Sequence, residues 1–430
     1  MSIPTRCSAF ACCTTLLLSL AALSGGSSAA RGDGSLAGPS LADLRPLASP
    51  AAPGSAEPHL GVSPEGRVWL SWIEKRTAGG HALRVARLDG ARWSKPFTVA
   101  EGDSFFANWA DFPTVLPLGG DRLAAHYMWK TGGETYAYEV RTTQSADGGR
   151  SWSRTVTPHR DGTPTEHGFV SLLPAASGVR AVWLDGRGGM AVDGMGRPVH
   201  LEEGEADMTL RTAVVGADGA LSEEALLDPR VCDCCQTAAA LTTRGAVIAY
   251  RDRSADEIRD ISVVRLENGA WSEPEPLHAD GWKITGCPVN GPSLAAAGER
   301  IVAAWYTAAQ DSPRVLVAFS DDGGHRFGAP IRLDAGSPLG RVSVLLGADG
   351  GALVAWLEAQ GKEALFQVRR ASRDGALGRV STVARTAAAR GSGFPRMVRS
   401  GDRVVLAWTE AGKPSLVRTA TARVSSDAAR

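Results

Sequence analysis

Apolar, strand-like segments that end in an aromatic residue recur along this chain. Each follows a shorter apolar stretch and a turn, and each precedes a segment such as HALRVARL (81–88), in which apolar and polar residues alternate. Alternation with a period of two is the pattern of a half-buried β-strand. A further segment often opens with an aromatic residue, as in WSKPFTV from Trp93. The closing aromatic residues are Trp72, Trp129, Trp183, Tyr250, Trp305, Trp356 and Trp408.

This pattern repeats about every 50 to 70 residues and holds four strands per repeat, which predicts the antiparallel blades of a β-propeller. The repeats predict seven blades, with six as the alternative if one repeat is irregular. The last repeat ends after its third strand (415–424), while LADLRPLA (41–48) forms an unassigned strand near the N-terminus. We expect that strand to complete the last blade, because closing the ring removes an exposed sheet edge. The predicted all-β domain spans residues 41–427.

The first thirty residues have the pattern of a secretory signal peptide. Arg6 precedes a short apolar run (14–23), and small residues lead to a cleavage position near Ala30. The run is shorter than the roughly 20 apolar residues that a membrane helix needs. We therefore expect a signal peptide at residues 1–30, a flexible linker at 31–40, and an exported protein that is periplasmic or extracellular and does not insert into the membrane.

Composition bears mainly on the partners. The chain has 46 basic and 46 acidic residues, so its formal net charge is zero. A neutral chain gives no electrostatic reason to bind nucleic acid, and we expect no nucleic-acid partner. A protein partner stays open, because propellers often serve as interaction scaffolds and the fold alone does not define a function.

Two turns share one sequence signature. SADGGRSW (145–152) and SDDGGHRF (320–327) both fit Ser-x-Asp-x-Gly-x-x-aromatic. The signature resembles the Asp-box, or bacterial neuraminidase repeat, of sialidase-like β-propellers. Turn chemistry accounts for every position: Asp147 and Asp322 cap backbone amides, and the glycines take positive φ. The resemblance thus supports the predicted fold, and we expect these residues to be structural.

The resemblance also implies catalytic residues that can be sought in this chain. Sialidases use an arginine in an Arg-Ile-Pro context, two further arginines, a tyrosine with a glutamate, and an aspartate. This sequence has no Arg-Ile-Pro, and its last tyrosine is Tyr306. YRDRSADEIRD (250–260) is its densest arginine and carboxylate stretch, so Arg251, Asp252 and Arg253 are weak candidates for a carboxylate clamp. A salt-bridged loop is the favoured alternative, and enzymatic activity is not our leading expectation.

Carboxylates also recur two residues after the repeated aromatic residue. Such groups could form an acid and base pair or could accept hydrogen bonds within loops. Regular recurrence favours the structural role, because catalysis needs a special pair and not a repeated position. The five positions are Glu74, Asp185, Asp252, Glu358 and Glu410.

Cysteine is confined to two places beyond residue 30. The positions are Cys232, Cys234 and Cys235 in VCDCCQT, and Cys287 in ITGCPVNGPS. The blade register places the cluster and Cys287 just ahead of the first, innermost strands of neighbouring blades, and His167 and Asp111 occupy the matching positions in the two preceding blades. We therefore expect these residues to converge around the mouth of the central channel.

A long loop (184–208) on the same predicted face adds Met190, Met195 and His200. Thiolate, thioether and imidazole together are the ligands that soft Cu(I) prefers, with Zn(II) as the alternative if only Cys and His take part. The leading hypothesis is an exported propeller that binds a soft metal ion or another small ligand at this site. The predicted metal-binding residues are Cys232, Cys234, Cys235, Cys287, His167, Met190, Met195 and His200.

Disulfide bonding is the alternative for the sulfurs, since an exported compartment favours it. Bridging adjacent residues such as Cys234 and Cys235 is strained, so we expect at most one ordinary bridge, from the cluster to Cys287. Two other functions stay open beside metal binding. They are a sialidase-type exo-glycosidase acting on sialosides or related glycans, and a disulfide-braced scaffold for protein interaction.

Overall fold

The structure is a computed structural model that describes residues 35–192, 198–200 and 207–425, with no side chains described for 35–37 and 191–206. The predicted signal peptide, residues 31–34 of the predicted linker, Met195 and the side chain of His200 lie outside these descriptions. Seven antiparallel sheets form a seven-bladed β-propeller, which confirms the predicted fold class. No helix in the described ranges is long and apolar enough to cross a membrane.

The strands follow one another blade by blade. The N-terminal strands are β1 (Ser35–Pro39) and β2 (Leu41–Leu47). Blade one contains β3 (Ser55–Val62), β4 (Val68–Lys75), β5 (His81–Asp89), β6 (Arg92–Trp93) and β7 (Phe97–Gly102). Blade two contains β8 (Thr114–Gly119), β9 (Arg122–Lys130) and β10 (Tyr138–Ser145). Blade three begins with β11 (His167–Ala175) and β12 (Gly178–Asp185), and a separate hairpin follows with β13 (Met190–Val192) and β14 (Pro198–His200). It ends with β15 (Met208–Gly216) and β16 (Leu221–Val231).

The second half repeats this plan. Blade four contains β17 (Ala238–Leu241), β18 (Ala246–Arg251), β19 (Ile261–Glu267), β20 (Ala270–Trp271) and β21 (Glu275–His278). Blade five contains β22 (Ser293–Ala297), β23 (Arg300–Thr307), β24 (Arg314–Ser320) and β25 (Ile331–Arg332). Blade six contains β26 (Pro338–Leu346), β27 (Ala352–Gln360), β28 (Glu363–Ala371), β29 (Leu377–Arg379) and β30 (Ser381–Ala387). Blade seven contains β31 (Arg396–Ser400), β32 (Arg403–Glu410) and β33 (Leu416–Val424). Short 3-10 turns lie at Arg187–Gly189, Ala309–Asp311 and Arg390–Ser392.

The N-terminal segment closes the ring. β2 pairs antiparallel with β33, with Leu41 opposite Val424 and Leu47 opposite Thr419. β2 is therefore the outer strand of blade seven, as the sequence predicts for residues 41–48. β1 adds a contact that the sequence did not predict, because it pairs in parallel with β29 of blade six. One short segment thus joins the last two blades and covers their outer edges.

The apolar core lies between neighbouring blades. Trp305 of blade five is fully buried and packs with Ala249 and Ile261 of blade four. Trp72 of blade one packs in the same way with Val405 of blade seven, across the point of ring closure. Replacing such a tryptophan by alanine costs about 3–5 kcal/mol in typical cores. The aromatic repeat therefore marks the positions that hold each blade to the next.

The repeated aromatic residues occupy the second strand of every blade, as predicted. The predicted equivalence is wrong for Trp129 in blade two. In blade one His59 lies opposite Ser71, the residue before Trp72, whereas in blade two Thr114 lies opposite His126, so Tyr127 is the equivalent residue. The repeated carboxylates have structural partners. The indoles of Trp72, Trp183 and Trp356 donate to Glu74, Asp185 and Glu358 at 2.8, 2.7 and 2.7 Å. Asp252 accepts from Ser262, and Glu410 pairs with Arg418.

The two signature turns have matching hydrogen bonds. Asp147 accepts from the backbone N–H of Ser151 at 2.9 Å, and Asp322 accepts from the backbone N–H of Arg326 at 3.0 Å. Gly148 has a φ of 75°, a left-handed conformation that favours glycine. These contacts stay within each turn, which agrees with a structural role for the signature.

Candidate functional site

The loop before blade two closes one mouth of the central channel. Trp109 stacks on a phenylalanine at 6.0 Å between ring centres, and an arginine lies 4.9 Å above its ring. The Ala110 carbonyl accepts a glutamine N–H at 2.6 Å, and Asp111 accepts a backbone N–H at 2.8 Å. The phenylalanine is Phe394 of blade seven, and the arginine is Arg341 of blade six. The glutamine is Gln236 of blade four, and the backbone N–H is that of Phe169 in blade three. A segment of the chain itself, which we call the plug (residues 105–113), therefore crosses this mouth of the channel.

The cysteines lie in the loops beside this plug. Cys232 directly follows β16, and its N–H donates to the Arg251 carbonyl at the end of β18, at 3.0 Å. Cys235 precedes Gln236, the residue that holds the plug. Cys287 lies in the next connection, between β21 and β22. The loops that lead into blades four and five therefore supply the four thiols that the structure describes.

The structure brings the four predicted cysteines together. The Cys232 sulfur lies 3.7 Å from the Cys234 sulfur and 3.6 Å from the Cys235 sulfur. All three sulfurs lie within 4.8 Å of one another, and a second group within the same limit joins Cys234 to Asp233 and Cys287. None of the four is in a disulfide. Cys234 is thus the centre of the thiol cluster.

Charged groups favour a thiolate at Cys232. Thiol hydrogen bonds from Cys234 and Cys235 hold the pKa of Cys232 well below its usual range, and nearby Arg251 adds to the effect. The Arg259 guanidinium, whose residue is 3% exposed, lies 3.3 Å from the Cys232 sulfur. Burial raises the pKa of the Cys235 thiol. The contacts therefore favour the thiolate at Cys232 and disfavour it at Cys235, where a bound metal ion must displace the thiol proton.

An ion network surrounds the cluster on one side. Arg259 also pairs with Glu257 at 2.9 Å, and Arg253 pairs with the same carboxylate at 2.7 Å. Arg230 lies 3.9 Å from Glu257 and 3.2 Å from Asp207. Asp207 ends the long insertion of blade three, so this network connects the insertion to the edge of the thiol cluster.

His167 does not join the cysteines. Its Nε2 lies 3.2 Å from Asp161, and its ring stacks on the His159 ring with centres 3.8 Å apart. Its Nδ1 lies 3.0 Å from the Thr165 carbonyl, and Asp185 is 3.8 Å from Nε2. The blade register predicted the level of His167 correctly, but the side chain points to a separate His/Asp cluster.

Of the metal ligands predicted in the insertion, Met190 is the one whose side chain the structure describes. Met190 is half-buried in β13, opposite His200 in the backbone pairing. Met208 is 8% exposed and packs in the core with Leu184 and Val231, so it is not free to bind metal. Any role of Met190, Met195 or His200 as ligands stays a prediction.

The weak catalytic candidates have other partners. Arg251 is 1% exposed, and its guanidinium donates to the carbonyls of Asn290 and Tyr306 at 2.8 and 2.7 Å. Asp252 accepts from a neighbouring strand, and Arg253 belongs to the ion network. Arg251 is therefore directed at buried backbone and not at a surface where a substrate carboxylate could bind.

Sequence reasoning missed one buried acid group. The Tyr138 hydroxyl lies 3.0 Å from Asp111 and 2.7 Å from Glu166. Burial raises the pKa of Asp111 to about 7 and that of Glu166 to about 8, and Asp233 and Cys287 contribute to the latter. One hydroxyl proton cannot serve two carboxylates, so at least one carboxyl stays protonated near neutral pH. The repeat register marks Asp111 at the channel mouth, but no repeat or motif marks Tyr138 or Glu166, and the three residues come from separate elements.

No protein family matches the chain by sequence, and no curated protein matches it. Solved structures do match. An ulvan lyase, a polysaccharide lyase, is 11% identical with a TM-score of 0.51, over 90% of this chain and 94% of that one. A protein of unknown function from Dyadobacter fermentans is 14% identical with a TM-score of 0.49, over 89% and 98%. The NanB sialidase from Streptococcus pneumoniae is 10% identical with a TM-score of 0.43, over 90% and 71%. Identities this low show a shared β-propeller fold alone.

Proposed function

We propose that this chain is an exported propeller that binds one soft metal ion, Cu(I) in the first place, through its cysteine cluster. The carrying observation is the spacing of the sulfurs, 3.6 and 3.7 Å from Cys232 to its two neighbours. Metal–thiolate bonds of about 2.3 Å in tetrahedral or trigonal geometry set sulfurs about 3.8 to 4.0 Å apart. A disulfide needs about 2.05 Å. The observed spacing is within a few tenths of an ångström of a metal site.

The ligand chemistry favours Cu(I) over harder ions. Thiolates are soft ligands that select Cu(I) or Zn(II), and an all-sulfur set excludes Mg²⁺ and Ca²⁺. Cys232, Cys234 and Cys235 form a trigonal set, the number that suits Cu(I). Cys287 makes a fourth ligand available for tetrahedral Zn(II), so zinc is the second metal to test. Arg259 stabilises the negative charge that several thiolates around one ion create.

The test is a competition titration. The chain without residues 1–30, fully reduced and free of oxygen, is titrated with Cu(I) against a chromogenic Cu(I) chelator. We expect about one ion bound per chain, and Cys234→Ser should weaken binding more than about 100-fold because Cys234 contacts every other thiol. Cys287→Ser should weaken Cu(I) less than Zn(II). Asp147→Ala, in a distant turn, is the control and should bind as the parent protein does. Native protein with all four cysteines oxidised, or an affinity unchanged by Cys234→Ser, contradicts the proposal.

A carbohydrate-related role is the second candidate. The fold shared with an ulvan lyase and the acid group around Tyr138 favour it. Tyr138 is 1% exposed and its ring lies under Phe106, with centres 4.0 Å apart, so a glycan has no direct access to its hydroxyl. We therefore rank it below metal binding and expect no release of sialic acid from simple sialosides. Turnover that disappears in Tyr138→Phe reverses this order.

A further inference from the structure

The central channel has a ring of equivalent side chains below the plug. The first strands enclose a cavity of about 340 Å³. In each blade one cavity-lining residue pairs with the residue just before the repeated aromatic position, as His59 does with Ser71 and Arg396 with Ala407. The ring consists of His59, Thr114, Ser171, Ala238, Ser293, Ser343 and Arg396.

Arg396 is the one permanent charge in this ring. Its guanidinium carbon lies 4.4 Å from the centre of the Phe112 ring, which belongs to the plug, and 5.8 Å from that of Phe394. Blade seven and the plug meet across the channel, so the cation is held among aromatic faces. Among the described residues no hydrogen bond or ion pair engages this guanidinium, and its Nε is buried without a partner. Burial lowers the pKa of Arg396 to about 10.

The neighbours of Arg396 do not supply the missing negative charge. His59 belongs to the adjacent blade, and its Nδ1 is also buried without a partner. Burial and the charge of Arg396 keep the pKa of His59 well below its usual range, so the imidazole is neutral. Asp111 lines the same cavity, but the Phe169 N–H and the Tyr138 hydroxyl occupy its oxygens. The Arg396 guanidinium and the His59 imidazole therefore line one cavity, and each has a buried nitrogen without a partner.

A buried arginine elsewhere in the chain, Arg265, has the kinds of partner that Arg396 lacks. Arg265 is 4% exposed and pairs with Glu275, and its Nη1 donates to the Gly324 carbonyl at 3.1 Å. A partly buried charge without a partner is unfavourable, whereas an anion that pairs with it gains charge-assisted hydrogen bonds. The guanidinium of Arg396 is placed for such a partner.

We propose that the channel binds a small monocarboxylate, with its carboxylate on the Arg396 fork and with His59 as a second donor. One positive charge favours a monoanion, because a dianion such as sulfate leaves one negative charge unpaired in the cavity. The planar fork matches the two oxygens of a carboxylate. The cavity volume admits a ligand with a short aliphatic or hydroxylated tail. This site is separate from the cysteine cluster and does not depend on metal binding.

Thermal unfolding at constant ionic strength tests the proposal. Acetate and propionate should raise the melting temperature saturably, and chloride and sulfate should raise it much less. Arg396→Met should abolish this response, because it removes every guanidinium donor and keeps most of the side-chain length. Arg399→Gln, an arginine of the same strand with a backbone partner at Gly401, is the matched control and should keep the full response.

Calorimetric titration of the unaltered protein with acetate is the second measurement, and it does not depend on the folding of any variant. Saturable heat that Arg396→Lys weakens more than about tenfold supports the site, because lysine keeps the charge but loses the fork. Equal effects of acetate, chloride and sulfate, or a full acetate response in Arg396→Met, overturn it. The absence of both heat and thermal shift with every carboxylate also overturns it.

Discussion

Removing the guanidinium of Arg251 tests whether YRDRSADEIRD is a brace or a binding site. Arg251→Met keeps most of the side-chain volume and deletes every donor. The guanidinium donates twice to the Asn290 carbonyl, at 3.0 and 2.8 Å, and once each to the carbonyls of Arg259 and Tyr306, at 2.5 and 2.7 Å. It also lies 4.8 Å above the Trp282 ring. One side chain thus ties blade four to blade five.

The size of the effect follows from those contacts. Three buried carbonyls lose a charged donor, and hydrogen bonds to charged groups contribute about 1.5–3 kcal/mol each. Removing the buried charge offsets part of this loss of stability, because folding no longer has to take a guanidinium out of water. We therefore expect the free energy of unfolding to fall by about 2 to 4 kcal/mol. The N–H of Asn290 donates to the Cys235 sulfur at 3.4 Å, so Cu(I) affinity should also fall.

Urea denaturation of Arg251→Met beside Arg253→Met measures this difference. Arg253 lies in the same stretch, but its partner is the more exposed ion network, and a pair of that kind contributes about 0–1 kcal/mol. The midpoint should therefore fall clearly more for Arg251→Met. If the two variants lose the same stability, the guanidinium is not a brace, and a role in binding a substrate carboxylate regains support.

Three further predictions concern stability. Trp183→Phe should lower the free energy of unfolding by about 1–3 kcal/mol, because it leaves the buried Asp185 without its indole donor. Trp408→Phe should lower it less, since the Trp408 Nε1 has no partner, and similar melting temperatures of the two variants contradict this. Gly245→Ala should unfold at clearly lower urea, because Gly245 has a φ of 149° and an added Cβ would lie 1.8 Å from the Leu266 carbonyl oxygen; an unchanged midpoint would refute the clash. Burial raises the pKa of Glu57 to about 8, so its protonated form stabilises the fold at pH 4 and that contribution is lost as the pH rises through about 8. Glu57→Gln should therefore melt higher than the parent at pH 9 and equally at pH 4, and a pH-independent difference rules out this linkage.

Local pattern was enough to predict the ring. Alternation, the aromatic repeat and the missing fourth strand are all properties of short segments, and pairing of β2 with β33 follows from the need to close the sheet edge. The cysteine cluster was predictable for a similar reason, since loops that lead into neighbouring first strands must lie side by side.

The plug and the His/Asp cluster could not be predicted in this way. Trp109 and Phe112 contact blades six and seven across the channel, and no periodicity records a contact at that sequence separation. His159 and Asp161 recur as His278 and Asp280 in the connection from blade four to blade five, but the recurrence does not mark which of the two pairs a further histidine joins. His167 shows the limit of register, which fixes the level of a residue along a strand but not the direction in which a bulged strand turns its side chain.

The cysteine cluster also changes the argument about disulfides. Pairing of the adjacent residues Cys234 and Cys235 is strained, which led us to expect at most one ordinary bridge. The structure shows another scheme: Cys232 lies 3.6 Å from Cys235, and Cys234 and Cys287 belong to one group of ligand atoms within 4.8 Å. Two bridges, neither between adjacent residues, are therefore within reach of small movements. Metal binding and this double bridge use the same four sulfurs and exclude each other, so a count of four free thiols or none in native protein separates the metal site from the brace.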